Sequence, residues 1–326
     1  MEKQNNLYST NKTINKTKIC AIVNVTPDSF SDGNQYYYPE KAIEHGLDLI
    51  AQGADMLDIG GESTRPGSTL VSVQTEIERI EPVIKGLKQK SSFPLSVDTW
   101  KSAVAEHSLS LGVDIINDIT GLLGDPNMAD LIAGSNIRPL YVLMFNPVLA
   151  RPQHPSSLHF PEFYLDNNQP AFTMTEYDKM AEISILEIMK YYFDKALNIA
   201  SKAGIKKEQI YLDPGIGFGL TQKENLLLIN NLPEIHKLGF PIFLGVSRKR
   251  FLINILQDAQ IETNPETDSG FANRDLASAT LTAIAASKGV EIVRTHTVKA
   301  HLLAARIGEA IYQADSAADL ELPKYS

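Results

Sequence analysis

The chain of 326 residues contains one cysteine, Cys20. A single thiol forms no intramolecular disulfide and builds no cysteine-cluster metal site. Such poverty suits a reducing compartment, and a cytoplasmic location is the expectation. No uninterrupted apolar run approaches the roughly 18 residues that cross a bilayer, so no membrane partner is expected. The stretch from Met1 to Lys18 is rich in Asn, Lys and Thr and lacks the apolar centre of a secretory leader. Residues 1–17 therefore read as a disordered polar tail and 316–326 as a second, C-terminal one. Positive charge is also in deficit: 30 Lys and Arg stand against 39 Asp and Glu, a net charge of −9. That balance argues against nucleic acid and anionic membranes as partners. No His-Glu-x-x-His or paired-histidine spacing occurs, so zinc is not expected.

What is present is ordinary globular composition, 43% hydrophobic and 21% charged, in a repeating order. Short apolar runs at 19–25, 56–59, 95–97, 115–118, 140–144, 210–212, 242–246 and 291–294 read as strands. Several are continuously apolar, as parallel strands buried on both faces are. Between them, 39–52, 73–90, 101–111, 174–203, 223–238 and 276–288 carry apolar residues at spacings of three and four, the helical period. Eight such units predict an α/β fold, a single (β/α)₈ TIM barrel over 18–315 with its site at the C-terminal ends of the strands. A doubly wound open sheet is the structural alternative. Two stretches read as insertions, near 146–173 and 257–273.

Polar residues gather where the apolar runs end. Asn24 closes the first, Asp58 the second, Asp98 the third, Asn117 and Asp118 the fourth, and Asp213 the sixth. Ser247-Arg248-Lys249 follows the seventh, and Arg294-Thr295-His296 ends the eighth. In a barrel all these ends share one mouth. A carboxylate at a buried strand end needs donors or a cation. Asp98, Asn117, Asp213 and Lys249 together suit a flat heterocycle with N–H donors and acceptors on its edge, such as a pterin. Arg294 and His296 alternate along an extended segment and share one side, where with Asn24 they suit a diphosphate. Asn24 offers a neutral oxygen to a hard cation such as Mg²⁺ that takes its remaining ligands from phosphate and water.

Two loops, Asn24-Val25-Thr26-Pro27-Asp28-Ser29-Phe30-Ser31-Asp32-Gly33 and Gly60-Gly61-Glu62-Ser63-Thr64-Arg65-Pro66-Gly67, resemble the signature loops of dihydropteroate synthases. Ser96-Val97-Asp98-Thr99, Ile116-Asn117-Asp118, Leu212-Asp213-Pro214-Gly215, Gly245-Val246-Ser247-Arg248-Lys249 and Arg294-Thr295-His296 are similar to that family's remaining blocks, in order. The resemblance spans roughly residues 18 to 310. It implies a transferase of folate biosynthesis that joins 6-hydroxymethyl-7,8-dihydropterin diphosphate to 4-aminobenzoate, giving 7,8-dihydropteroate and diphosphate. It assigns Asp98, Asn117, Asp213 and Lys249 to the pterin, with Asp98, Asp213 and Lys249 as the catalytic set. Asn24 goes to Mg²⁺, and Arg294 and His296 to the diphosphate. Thr64, Arg65, Pro66, Phe30, Phe218 and Ser247 go to the region where aminobenzoate meets the loops. A homodimer is also implied, with 276–288 and 298–312 as candidate faces.

The text departs from the family pattern in three places. Leu143-Met144-Phe145 stands where Met-His-Met is common, Thr297 follows His296 in place of Asp, and Trp100 follows Thr99. The 146–173 insertion is longer than usual. Two other readings compete. A corrinoid-dependent pterin methyltransferase would share the Asp/Asn grip but need neither loop nor a diphosphate site, and a pterin-binding paralogue would bind without turnover.

Overall fold

The computed structural model describes residues 16–26, 39–164 and 170–316. Along the chain run β1 (Lys18–Asn24), α1 (Pro39–Ala51), β2 (Met56–Gly60), α2 (Val73–Lys90), β3 (Leu95–Asp98), α3 (Ser102–Ser110) and β4 (Ile115–Asp118). Then come α4 (Met128–Gly134), β5 (Leu140–Met144), α5 (Pro147–Ala150), α6 (Met174–Ala181), α7 (Ile185–Ala203) and β6 (Ile210–Asp213). The last units are α8 (Gln222–Asn230), α9 (Leu232–His236), β7 (Phe243–Gly245), α10 (Arg250–Asp258), α11 (Asp268–Ala286), β8 (Ile292–Thr295) and α12 (Lys299–Tyr312).

The eight strands form one parallel sheet in the order β6-β5-β4-β3-β2-β1-β8-β7. Its outer strands, β6 and β7, meet through a single parallel bridge between Leu212 and Ile242, supported by the Leu212 amide donating to Pro241 O at 2.9 Å. The sheet is thereby a nearly closed TIM barrel, the fold class that the repeating units predict.

The strand alternation sorts side chains into two apolar sets. Ile19, Ala21, Val23, Leu57, Ile59 and Val97 point outward, into the large core shared with the helices. Cys20, Met56, Ile115, Leu140, Val142, Phe243 and Ile292 point inward and plug the barrel as a separate cluster. Because successive side chains alternate, the residue two positions beyond each plug residue also points inward, one layer nearer the mouth. From Met56, Ile115 and Ile292 that step reaches Asp58, Asn117 and Arg294, and from half-buried Tyr211 beside the plug it reaches Asp213. The register aligns Asn24 with Gly60, Gly60 with Asp98, and Asp98 with Asn117 across β1 to β4.

Several helices differ from the sequence expectation. The expected single helix at 174–203 breaks at Glu182, because Ser184 starts a new helix with a capping box to Glu187. The expected helix at 223–238 divides at Asn231, where Pro233 occupies the first turn of α9 and suits a start rather than an interior. The polar 257–273 stretch is helical at both ends, where α10 runs to Asp258 and α11 begins at Asp268 under a Thr267 cap. Short α4, α5 and α10 escaped the periodicity reading. At the N-terminal side, Thr17 is already tied down: its amide donates to Glu309 Oε1 at 2.6 Å and its hydroxyl to Val290 O at 2.7 Å. Residues 1–15 and 317–326 of the expected tails lie outside the described residues.

Candidate active site

The deepest group is Asp58, fully buried on β2. Its Oδ2 accepts a short bond from Arg294 Nε and another from Asn117 Nδ2 at 3.1 Å. Arg294 extends its fork to Asp98, with Nη2 donating to Oδ2 at 2.7 Å. One guanidinium thus serves two carboxylates on adjacent strands. Burial raises the Asp98 carboxyl well above the carboxylate range, and the Arg294 charge only partly offsets that effect. Asn24 enters the same layer from β1: its Oδ1 and Asp98 both lie beside Gly60, within 3.5 Å and 4.0 Å of where a β-carbon there would sit.

Asp213 and Lys249 face the hollow from the far side. Asp213 Oδ1 accepts the Gly215 amide at 2.8 Å. Burial raises the Asp213 carboxyl to about 6, against the pull of that amide and of Lys249. Burial likewise lowers the Lys249 ammonium to about 8, with Asp213 opposing and Arg294 reinforcing the shift. The Lys249 stem passes over Gly217, where a β-carbon would lie 2.5 Å from Cδ. Gly217 has φ +79°, so glycine is favoured there twice over.

The Ser-Arg-Lys turn after β7 works by alternation. Arg248, at φ +56°, swings out to α11, where it grips Asp275 through two bonds of 2.7 and 3.0 Å and lies over the Phe271 ring. Its neighbours Ser247 and Lys249 are left to the mouth. Ser247 Oγ accepts the His296 amide at 3.2 Å and meets His296 Nδ1 at 2.9 Å. Burial, together with Arg248, Arg294, Arg65 and Lys249, pushes the His296 imidazole far below its ordinary range, so it is neutral at pH 7. Arg65 is exposed on the loop after β2, and its charge acts on both Lys249 and His296.

That loop is anchored by Glu62. Its carboxylate accepts from Val71 N at 2.7 Å, Lys101 Nζ at 2.6 Å and Trp100 Nε1 at 2.8 Å. Trp100 is therefore a fastening for the loop. Lys101 is buried and also bonds Glu76 and Val71 O. Thr64 is half-buried on the same loop. Of the first signature loop, residues 27–38, including Phe30, lie outside the described residues.

The other departures find places too. Phe145 is buried and packs edge-on against Tyr192 and Phe193 of α7. By alternation, Met144 instead shares the inward face of Leu140 and Val142. Asn146 caps α5, accepting from Val148 N and Leu149 N. With Thr297 in the place of Asp, His296 is held by Ser247. Asp58 is the central residue to which sequence reading gave no role. The signal was available: a carboxylate inside an otherwise apolar strand, in phase with Met56. Among the described residues no group of three or more His, Cys, Asp or Glu could hold a metal ion.

The profile of the pterin-binding enzyme family matches residues 20–296. The dihydropteroate synthase of Clostridium beijerinckii is 41% identical over 250 residues, 76% of this chain and 81% of the relative. A crystal structure of the Clostridium difficile dihydropteroate synthase, obtained with pteroic acid, superposes with a TM-score of 0.74 at 36% identity, covering 92% of this chain and 98% of that one. The Xanthomonas albilineans dihydropteroate synthase with 4-aminobenzoic acid gives 0.72 at 34% identity, covering 94% and 95%. The chain belongs to the pterin-binding enzymes, and within that class it groups with the dihydropteroate synthases.

Proposed function

We propose that this chain is a transferase that joins a dihydropterin methylene to 4-aminobenzoate, with diphosphate as leaving group, in folate biosynthesis. One observation carries the reading: Asp98, Asn117, Asp213, Lys249, Arg294 and His296, scattered over nearly two hundred positions, share one rim.

In this reading Asp98, Asn117, Asp213 and Lys249 hold the pterin. The ring's N–H donors meet carboxylates already short of counter-charge, and Lys249 supplies a donor to a ring acceptor. Arg294 orders Asp58 and Asp98, and its commitment to two carboxylates shifts most of the diphosphate's charge to His296, Lys249 and Arg65. Neutral His296 acts there as an N–H donor. The arylamine lies among Thr64, Arg65, Pro66, Phe218 and Ser247. Its nitrogen lone pair forms the new C–N bond as the C–O bond to diphosphate breaks, the electron pair leaves with diphosphate, and the ammonium proton passes to water. An arylamine is neutral and nucleophilic at pH 7, so positioning and charge stabilisation supply the catalysis. Asp98 and Asp213 beside the ring support cationic character at the methylene.

The donor set fits Mg²⁺ that arrives with the diphosphate. Asn24 supplies one neutral oxygen, and among the described residues the rim lacks the acidic cluster that would hold the ion alone. When bound, the ion neutralises charge on the leaving group.

A homodimer completes the proposal. On α11 and α12, Leu276, Leu303, Ile307 and Ile311 are 64%, 70%, 62% and 62% exposed, an apolar face of the kind a second copy covers. No helix among the described residues is long and apolar enough to cross a membrane, and a cytoplasmic location belongs to the proposal. The test is diphosphate release from the dihydropterin diphosphate with and without aminobenzoate and Mg²⁺. Release that needs both supports the reading, whereas pterin binding without product overturns it. Sedimentation of the chain and of Ile307→Glu tests the dimer: a monomeric parent rejects it.

A further inference from the structure

The segment after β5 touches three of the loops around the mouth. Gly67, at the end of the Arg65 loop, donates its amide to His159 O at 2.7 Å. On the other side, Arg151 forks onto Glu224 with bonds of 2.6 and 3.1 Å and reaches Gly219 O at 3.3 Å. Gly219, at φ +56°, admits the segment closely: a β-carbon there would lie 2.9 Å from Val148 Cγ2 and 3.3 Å from Ser157 Oγ. Between these two fastenings stands a chain of rings. Phe160 lies 4.6 Å from Phe218, Phe163 5.7 Å from Phe218, and Trp100 6.0 Å from Phe163. Phe163 is fully buried, whereas Phe160 and Phe218 are half-buried. Phe218 itself sits between Gly217 and Gly219, both at positive φ, so its own backbone does little to fix its ring.

We propose that residues 151–163 form a fixed bridge across the barrel mouth, and that Phe160 is a positioning residue for the arylamine subsite. Resting on the functional reading above, the proposal makes the bridge set the distance between the two walls of that subsite. The Phe218 wall is held by Phe160 and Phe163, and the Arg65 wall by His159 O. The pterin groups on β3, β4 and β6 lie one layer deeper and do not depend on it. An aromatic pair of this geometry is worth up to about a tenfold change in an equilibrium constant. The Phe160–Phe218 pair is thus large enough to tune affinity for one substrate, and too small to decide whether the barrel folds.

The experiment compares the parent with Phe160→Ala and Phe160→Tyr. Phe160→Ala raises KM for 4-aminobenzoate about five- to tenfold, leaves KM for the dihydropterin diphosphate and kcat within about twofold, and Phe160→Tyr restores the parent values. A merely structural role would move both KM values together or lower kcat, and either result overturns the proposal, as does an unchanged KM for aminobenzoate. Hydrogen exchange supplies a readout independent of turnover: residues 61–68 exchange faster in Phe160→Ala than in the parent. Unchanged exchange there overturns the bridge even if the kinetics shift. A parent that makes no dihydropteroate rejects the functional reading instead, and the exchange result still decides the bridge.

Discussion

Replacing Asp213 by Asn should separate chemistry from stability. The Asp213 side chain is buried, with 7% of its surface exposed, and burial raises its carboxyl from 3.8 to about 6. A folded state that holds the proton more tightly than the unfolded chain loses stability as pH rises between those two values. Below 3.8 the group contributes nothing, and above about 6 the ionised carboxylate costs about 3 kcal/mol relative to a neutral one. Asparagine keeps an Oδ1 for the Gly215 amide, now 2.8 Å from the carboxylate, and so retains the turn. Part of the gain is returned, because Lys249 loses the carboxylate that holds its ammonium up and is driven further toward the neutral amine. The net expectation is a variant at least as stable as the parent at pH 7.5, by up to about 3 kcal/mol, with a flatter stability profile between pH 4 and 6. Turnover meanwhile falls about a hundredfold or more, since a charge beside the reacting carbon is gone. Urea unfolding at pH 4.5, 6 and 7.5, read beside steady-state diphosphate release, measures both. A stability loss of equal size at every pH would make Asp213 a structural cap, and undiminished turnover would refute its catalytic place.

Three further outcomes follow from the same geometry. Gly217→Ala meets the Lys249 stem and a positive φ at once, so it should cost about 1 kcal/mol or more of stability in urea unfolding and sharply reduce kcat/KM by displacing the ammonium. Arg294→Lys can meet only one of Asp58 and Asp98, now both held by one fork; losing one charge-assisted bond should lower stability by about 2 kcal/mol, and an unchanged urea midpoint would contradict that. Chelation of Mg²⁺ should abolish turnover reversibly while leaving Tm of the substrate-free protein within about 1 °C, because no described acidic cluster depends on the ion.

The barrel was legible because its signal is redundant: eight apolar runs each had to become strands buried on both faces, and all eight did. Helix boundaries were less legible where a cap competes with periodicity. At Ser184 the apolar spacing runs straight through, yet the Ser184–Glu187 box supplies a better local solution and the helix restarts. The rim residues could be read from position alone, as polar groups that close apolar runs. Their partners could not. That Arg294 spends its fork on Asp58 as well as Asp98 depends on the register of β8 against β1, where Arg294 stands beside Cys20, and no local pattern carries that offset. The segment after β5 was legible only as unusual composition, since its Arg151, His159 and Phe160 contacts join residues from three different loops.

Asp58 and Asp213 are the same chemical group in the same layer, and the contrast between them separates scaffold from chemistry. Asp58 takes two donors on one oxygen, from Arg294 and Asn117, and is sealed from solvent. Asp213 is met by backbone amides, Gly215 foremost, and faces an ammonium. Counting the inner rim, Asp58, Asp98 and Asp213 oppose Arg294 and Lys249, so the deep layer is left short of positive charge. Toward the mouth the balance shifts: among the described residues, the exposed Arg65 charge acts on both Lys249 and His296, and neutral His296 offers a donor. A solute with N–H donors at one end and a diphosphate at the other satisfies both deficits in one orientation only, ring down and phosphates up. In the proposed reading that orientation leaves the methylene open to the second reactant, whose amine is neutral although its carboxylate is charged.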